Sequence, residues 1–294
     1  MLDRRALLTG SMALLAMQAC RTGGSGIVVG CKNFTEQLIL GEIFAQMLEH
    51  DCRVPVQRRF YLAGTYICQQ AILAGRIDVY PEYTGTALAA VLKQTAMGDA
   101  SQVYGEVKRE YQQKFNLDLT PPLGFNNSFA MVMRGDDARR LGVSTLSGFA
   151  PYAPKMRLGV GYEFLERADG YKGLVRAYDL KFAEQPRVMD LGLLYRALQN
   201  HTVDIVAGSN TDGLIAALGL VVLEDDRHYF PPYDAVPIVR PQMLQQFPAA
   251  RGVFERLGGR ISAEQMRRMN FAVDGEKRDA AAVAQEFLED QKLM

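Results

Sequence analysis

The segment Asp78-Val-Tyr-Pro-Glu-Tyr83-Thr-Gly-Thr86 brings two tyrosines, a proline and two threonines to the end of an apolar run. A core strand needs no such ending. A ligand site does use it: the rings supply contact area, and polar groups at the adjoining turn fix orientation. The same residues would also suit an ordinary strand-to-helix turn. Three further segments share this character: Gly124-Phe-Asn-Asn-Ser-Phe129, Glu163-Phe-Leu-Glu-Arg-Ala-Asp169 and Phe230-Pro-Pro-Tyr-Asp-Ala-Val-Pro237. Their recurrence favours the ligand reading.

Catalytic chemistry has little to stand on. His50, His201 and His228 sit in no motif, and there is no Gly-x-Ser-x-Gly elbow, His-Glu-x-x-His pair or Walker loop. Glu224-Asp225-Asp226 reads as a solvated loop. The chain therefore reads as a binder and not an enzyme, with no cofactor and no metal site. Cys31, Cys52 and Cys68 lack Cys-x-x-Cys spacing, which supports neither a zinc site nor a redox pair. Cys52 and Cys68 either pair in an oxidising compartment or remain free thiols.

The 33 basic and 33 acidic residues cancel, and no basic block stands out, so nucleic acid is not an expected partner. The 294 residues suffice for one large or two medium domains. The start of the chain reads as a targeting segment. Arg4-Arg5 precede an apolar run, Ala6 to Ala16, that is too short to span a membrane. Residues 1–19 are read as a signal peptide, exported by either the general or the twin-arginine route. Cys20 after Ala19 resembles a bacterial lipobox, although Gln18 departs from its usual small residue. Residues 20–25 would then be a lipidated tether. The expected location is the periplasm or the outer face of a bacterial cell membrane, held by a lipid anchor alone.

Strands and helices alternate along the rest. Strands are predicted at 26–30, 54–61, 77–80, 129–134, 157–160 and 203–207. Helices are predicted at 35–50, 65–75, 102–115, 173–178 and 192–200. The helix at 35–50 carries one apolar stripe. Such alternation implies α/β architecture with parallel sheets. The pattern then repeats. Ala71-Ile-Leu-Ala-Gly-Arg-Ile-Asp78-Val79 recurs as Ala197-Leu-Gln-Asn-His-Thr-Val-Asp204-Ile205, which places Tyr83-Thr-Gly85 in register with Ser209-Asn-Thr211. Asp78 and Asp204 share a repeat position and are read as structural caps, and Tyr80 as core. Two such units facing each other would form a cleft at their strand ends, where open α/β sheets bind ligands.

Six segments in order, Gly30-Cys-Lys-Asn-Phe-Thr-Glu-Gln37, Tyr80–Thr86, Gly124–Phe129, Glu163–Asp169, Thr211-Asp-Gly213 and Phe230–Pro237, resemble the substrate-binding proteins of osmoprotectant ABC transporters, the glycine betaine/carnitine/choline class. The resemblance covers nearly the whole chain after the leader. It implies a two-lobed periplasmic-binding-protein clamshell (type II) with two hinge crossover strands, near 128–134 and 234–240. Residues 26–128 plus 235–294 would form the first lobe and 129–234 the second. It also implies a quaternary-ammonium ligand, and ABC permease and ATPase subunits as partners. A quaternary ammonium donates no hydrogen bond, so recognition falls to aromatic faces. A betaine carboxylate needs fixed positive donors. On that pattern Tyr83, Phe129 and Tyr233 form the cage, Lys32, Thr86 and Arg167 hold the carboxylate, and Asn127 lies at the rim.

The chain departs from the pattern at two positions. Ser209 stands where members with a complete cage carry tyrosine, and Phe129 replaces a frequent tyrosine. A lost wall removes about 0.5–2 kcal/mol of cation–π attraction. The pocket then either binds a small betaine weakly or fits a larger ligand such as carnitine or ergothioneine. Plainer roles stay open for single residues: Arg167 paired with Glu163, Glu166 or Asp169, Lys32 solvated at a turn, Tyr233 packed near the hinge. The competing function is a ligand sensor that reports to a signalling partner.

Overall fold

The computed structural model describes residues 26–94 and 99–294. The expected signal peptide, Cys20 and the tether lie outside them. Strands β1 (Ile27–Lys32), β2 (Val56–Leu62), β3 (Val79–Tyr83) and β4 (Asp118–Leu119) precede β5 (Phe129–Arg134) and β6 (Leu158–Val160). Then follow β7 (Arg187–Val188), β8 (Ile205–Ser209), β9 (Leu220–Leu223) and β10 (Ala235–Val239). They form two five-stranded sheets, ordered β2-β1-β3-β10-β4 and β7-β6-β8-β5-β9.

The two orders are the same arrangement used twice. β3 and β8 are equivalent central strands, and Tyr83 and Ser209 are the last residue of each. The fold is the α/β two-lobed clamshell. Its sheets are mixed and not parallel throughout. β1 runs parallel to β2 and β3, and β6 to β7 and β8, but β10 and β5 run antiparallel to their neighbours. Each of these two strands enters from the other lobe, so it meets its sheet from the opposite end. The crossing itself lies just before each strand. There Asn127 donates its N–H to the Tyr233 carbonyl at 3.0 Å, and Asn126 bridges Asp234. The two connections are thus hydrogen-bonded to each other. Gly124 takes φ of +115° beside the Gly259 and Ile261 backbone, a place no side chain could share.

The helix Thr35–Cys52 is buried on nearly all sides and shows no single stripe. It lies between the first sheet and the C-terminal helices Ala249–Leu257, Ala263–Asp274 and Ala280–Asp290, whose apolar residues join its core. A helix covered on both sides has no polar face to keep. Gly41 lets it approach Phe60 and Cys31. Cys31, Cys52 and Cys68 are all free thiols, so Cys52 and Cys68 do not pair. Burial pushes Cys31 up to about 12. Asp225 is not a solvated loop residue: it accepts the N–H groups of Tyr229 and Phe230 at 2.9 Å and the Tyr178 hydroxyl. Among the described residues, no helix is long and apolar enough to cross a membrane.

The repeated aspartates tie strands together. Asp78 accepts the Val28 N–H and a bond from Arg240, each at 2.9 Å. Asp204 accepts the Arg157 N–H and Arg157 Nε, each at 2.9 Å, and Arg134 Nη2 at 3.2 Å. Burial alone would raise Asp204, but these donors outweigh it and lower it from 3.8 to about 2. Stability from a depressed carboxylate is present above the unfolded value and is lost as pH falls through the folded one. Asp204→Asn should therefore cost about 1–2 kcal/mol at pH 7, after allowance for solvent screening. The difference from the parent should shrink towards pH 2. Urea unfolding at both pH values checks this, and an equal cost at both would remove the charge from the account.

Candidate functional site

The strand ends and crossing segments meet at one cavity of about 630 Å³ between the lobes. Lys32, Tyr83, Thr86, Asn127, Phe129, Arg167, Ser209 and Tyr233 all line it. Lys32 closes β1 and Tyr83 closes β3, with Thr86 one turn beyond. These are carboxyl ends of strands, where the fold leaves room for a ligand. Phe129 opens β5 and pairs directly with Ser209 at the end of β8. Arg167 follows the short helix Tyr162–Glu166 and reaches in from the second lobe.

Arg167 is 4% exposed and does not act alone. Its Nε donates to Asp169 Oδ1 at 2.9 Å and Nη2 to Oδ2 at 2.5 Å, a two-point fork. Nη1 donates to Thr86 Oγ1 at 3.0 Å, across the cleft. Its guanidinium carbon lies 4.7 Å from the Phe129 ring centre and 5.8 Å from that of Tyr233. The Tyr233 hydroxyl donates to Asp169 Oδ2 at 2.6 Å. Burial works against the charge of Arg167, yet the bonds and charge of Asp169 hold its pKa above the ordinary value. Of the partners weighed for Arg167 from sequence, the structure selects Asp169, which holds Arg167 at the cavity wall.

Lys32 is likewise not solvated. It is 3% exposed and paired with Glu82, while its ammonium lies 5.2 Å from the Tyr83 ring centre. Burial raises the pKa of Glu82, and the charge of Lys32 opposes that rise. Phe34 stacks on Tyr83 with centres 6.4 Å apart. Phe129 and Tyr233 meet edge to face at 5.9 Å, and Phe164 and Phe230 pack on Phe129. Both cations thus enter the cavity already balanced by a buried acid. A ligand carboxylate there adds to, or competes with, that acid.

Sequence reasoning passed over several residues. Glu36, in the first turn of the helix Thr35–Cys52, is 2% exposed. It accepts from Tyr83 Oη at 2.7 Å, Asn127 Nδ2 and Thr211 Oγ1 at 2.6 Å, and Asn270 Nδ2 at 3.1 Å. Burial raises its pKa, and these four donors oppose the rise. Asn127 is therefore more than a rim residue: it ties the crossing segment to Glu36 and accepts from the Ser209 hydroxyl. Glu163 reaches over the cleft and takes the Thr65 N–H at 2.5 Å and Thr65 Oγ1 at 3.1 Å. The lobes are closed on each other. Glu36, Glu82, Glu163 and Asp169 all lie within the motif segments read above, so buried acids beside motif cations were the signal to follow. Tyr195 also lines the cavity but belongs to no motif.

Relatives share this architecture. The carnitine transport binding protein OpuCC of Listeria monocytogenes is 33% identical over 288 residues, covering 96% of this chain and 93% of that one. The ergothioneine transport permease/ergothioneine binding protein EgtU of Helicobacter pylori is 34% identical over 264 residues, covering 90% of this chain and 47% of that one. The crystal structure of a glycine betaine/carnitine/choline ABC transporter superposes with a TM-score of 0.75 at 29% identity, over 91% of this chain and 99% of that one. The family described as the substrate-binding domain of ABC-type glycine betaine transport systems matches residues 25–290, and this chain belongs to it.

Proposed function

We propose that the cavity captures a quaternary-ammonium zwitterion and hands it to the permease of an ABC importer, whose ATPase drives uptake. The observation that carries this reading is the meeting of Arg167, Thr86 and Lys32 with Tyr83, Phe129 and Tyr233 in one closed cleft. Aromatic faces attract a cation that offers no hydrogen bond. Fixed donors beside them suit a carboxylate. The relatives named for carnitine and ergothioneine support the same ligand class. A family of ABC importer binding components works outside the cytoplasm. Acylation of Cys20 would hold the protein at the membrane surface.

The volume of about 630 Å³ favours a betaine larger than glycine betaine, since it falls within the range of drug-sized pockets. A thermal-shift panel of glycine betaine, proline betaine, carnitine, choline and ergothioneine on the full chain tests both points. A ligand at one hundred times its Kd adds about 2.7 kcal/mol to stability. The larger betaines are expected to give the greater shifts. A panel in which none of the five raises the melting temperature would end the quaternary-ammonium reading.

A further inference from the structure

Three rings of the expected cage already carry a protein cation in the closed cleft: Lys32 over Tyr83, and Arg167 over Phe129 and Tyr233. Tyr195 is different. Tyr195 lines the same cavity from the second lobe, 7% exposed, with much of its ring packed among Leu194, Leu198 and Val206, and among the described residues it has no cationic or aromatic partner. It comes from the helix Leu194–Gln199, not from a strand end.

Two features hold it there. Its hydroxyl donates to Asp212 Oδ2, which also accepts the Ser209 N–H at 2.9 Å. It also lies against Gly208, where an added Cβ would come 2.3 Å from the Tyr195 oxygen and 3.1 Å from the ring carbon bearing it. Any larger residue at 208 would displace the phenol. The position therefore depends on a glycine immediately before Ser209, the point where the aromatic wall expected from the family is absent. The Ser209 hydroxyl is engaged with Asn127 and with Thr211 at 3.0 Å, so it offers no wall of its own. Asp212 Oδ1 accepts no bond among the described residues, and Asp212 lines the cavity with Tyr195; burial pushes its carboxyl up to about 7.

We propose that Tyr195 and Asp212 form a cation subsite on the second lobe, an aromatic face backed by a carboxylate, that receives the quaternary ammonium group of the ligand. This rests on the quaternary-ammonium reading of the cavity. The ligand then spans the cleft, its carboxylate towards Arg167 and Thr86 and its cation towards Tyr195. The ring suits a trimethylammonium group, which donates no hydrogen bond and is held through its charge and methyl faces.

Calorimetry on the full chain with glycine betaine and with choline tests this. Tyr195→Leu removes the face and should weaken both ligands by about twofold to thirtyfold. Tyr195→Phe keeps the face and should retain most of the affinity. Gly208→Ala should act like Tyr195→Leu by pushing the ring aside, and it leaves the tyrosine itself intact if the leucine variant folds poorly. Unchanged affinity for both ligands in Tyr195→Leu and Gly208→Ala, with a clear loss in Phe129→Leu, would overturn the subsite and leave the wider reading standing. A parent protein that binds neither ligand, nor any other quaternary ammonium, would overturn both.

Discussion

Arg167→Ala is expected to weaken a zwitterionic betaine by about 2–5 kcal/mol, because a desolvated charge partner is lost. Choline, which has no carboxylate, should suffer much less. The structure adds a second, ligand-independent cost. Removing the guanidinium leaves Asp169 buried without its fork and removes the bond to Thr86 that joins the lobes. An unpaired buried carboxylate is strongly destabilising. The double variant Arg167→Ala/Asp169→Ala should therefore melt higher than Arg167→Ala alone, while betaine binding stays lost. Titration of both ligands by calorimetry, with melting temperatures of the three proteins, separates the effects. Equal losses for betaine and choline would make Arg167 a support of the closed fold and not a carboxylate ligand.

Glu36→Ala is expected to cost about 3–5 kcal/mol of stability, since it strips one acceptor from four donors at once. Those donors come from β3, the crossing segment, the loop after β8 and the helix Ala263–Asp274. The loss should loosen the junction of both lobes and not one element alone. Glu36→Gln keeps the shape but turns an N–H₂ group towards hydrogen-bond donors, so it should recover only part of the cost. Urea unfolding gives both values. A cost under about 1 kcal/mol for Glu36→Ala would mean that water replaces the carboxylate without penalty.

The repeat of Ala71–Val79 in Ala197–Ile205 made the twofold architecture legible, and β3 and β8 occupy the same place in their sheets. Strand direction was not legible. β5 and β10 have the apolar character of buried strands, and composition does not record from which lobe a strand enters. The covering of Thr35–Cys52 by C-terminal helices is likewise a long-range fact that local periodicity lacks. At the site, residues on strand ends could be read from motif segments. Of the counter-charges, Asp169 was legible only as one of three acids near Arg167 and Glu82 not at all, because an acid looks the same in sequence whether it is solvated or pressed against a cation. Tyr195 was hidden for a different reason: its position depends on the missing side chain of Gly208, which lies in another element.

The helix Thr65–Leu73 begins after Gly64, which offers it no side-chain cap. Its first amide is instead satisfied by Glu163 from the other lobe. That amide is therefore a clock for the cleft. When the lobes part it meets water, and when they shut it is shielded, although nothing around it unfolds. Its deuterium uptake would record each parting of the lobes. A captured solute would register there as a slowing of the clock, even though the solute itself need never touch Thr65.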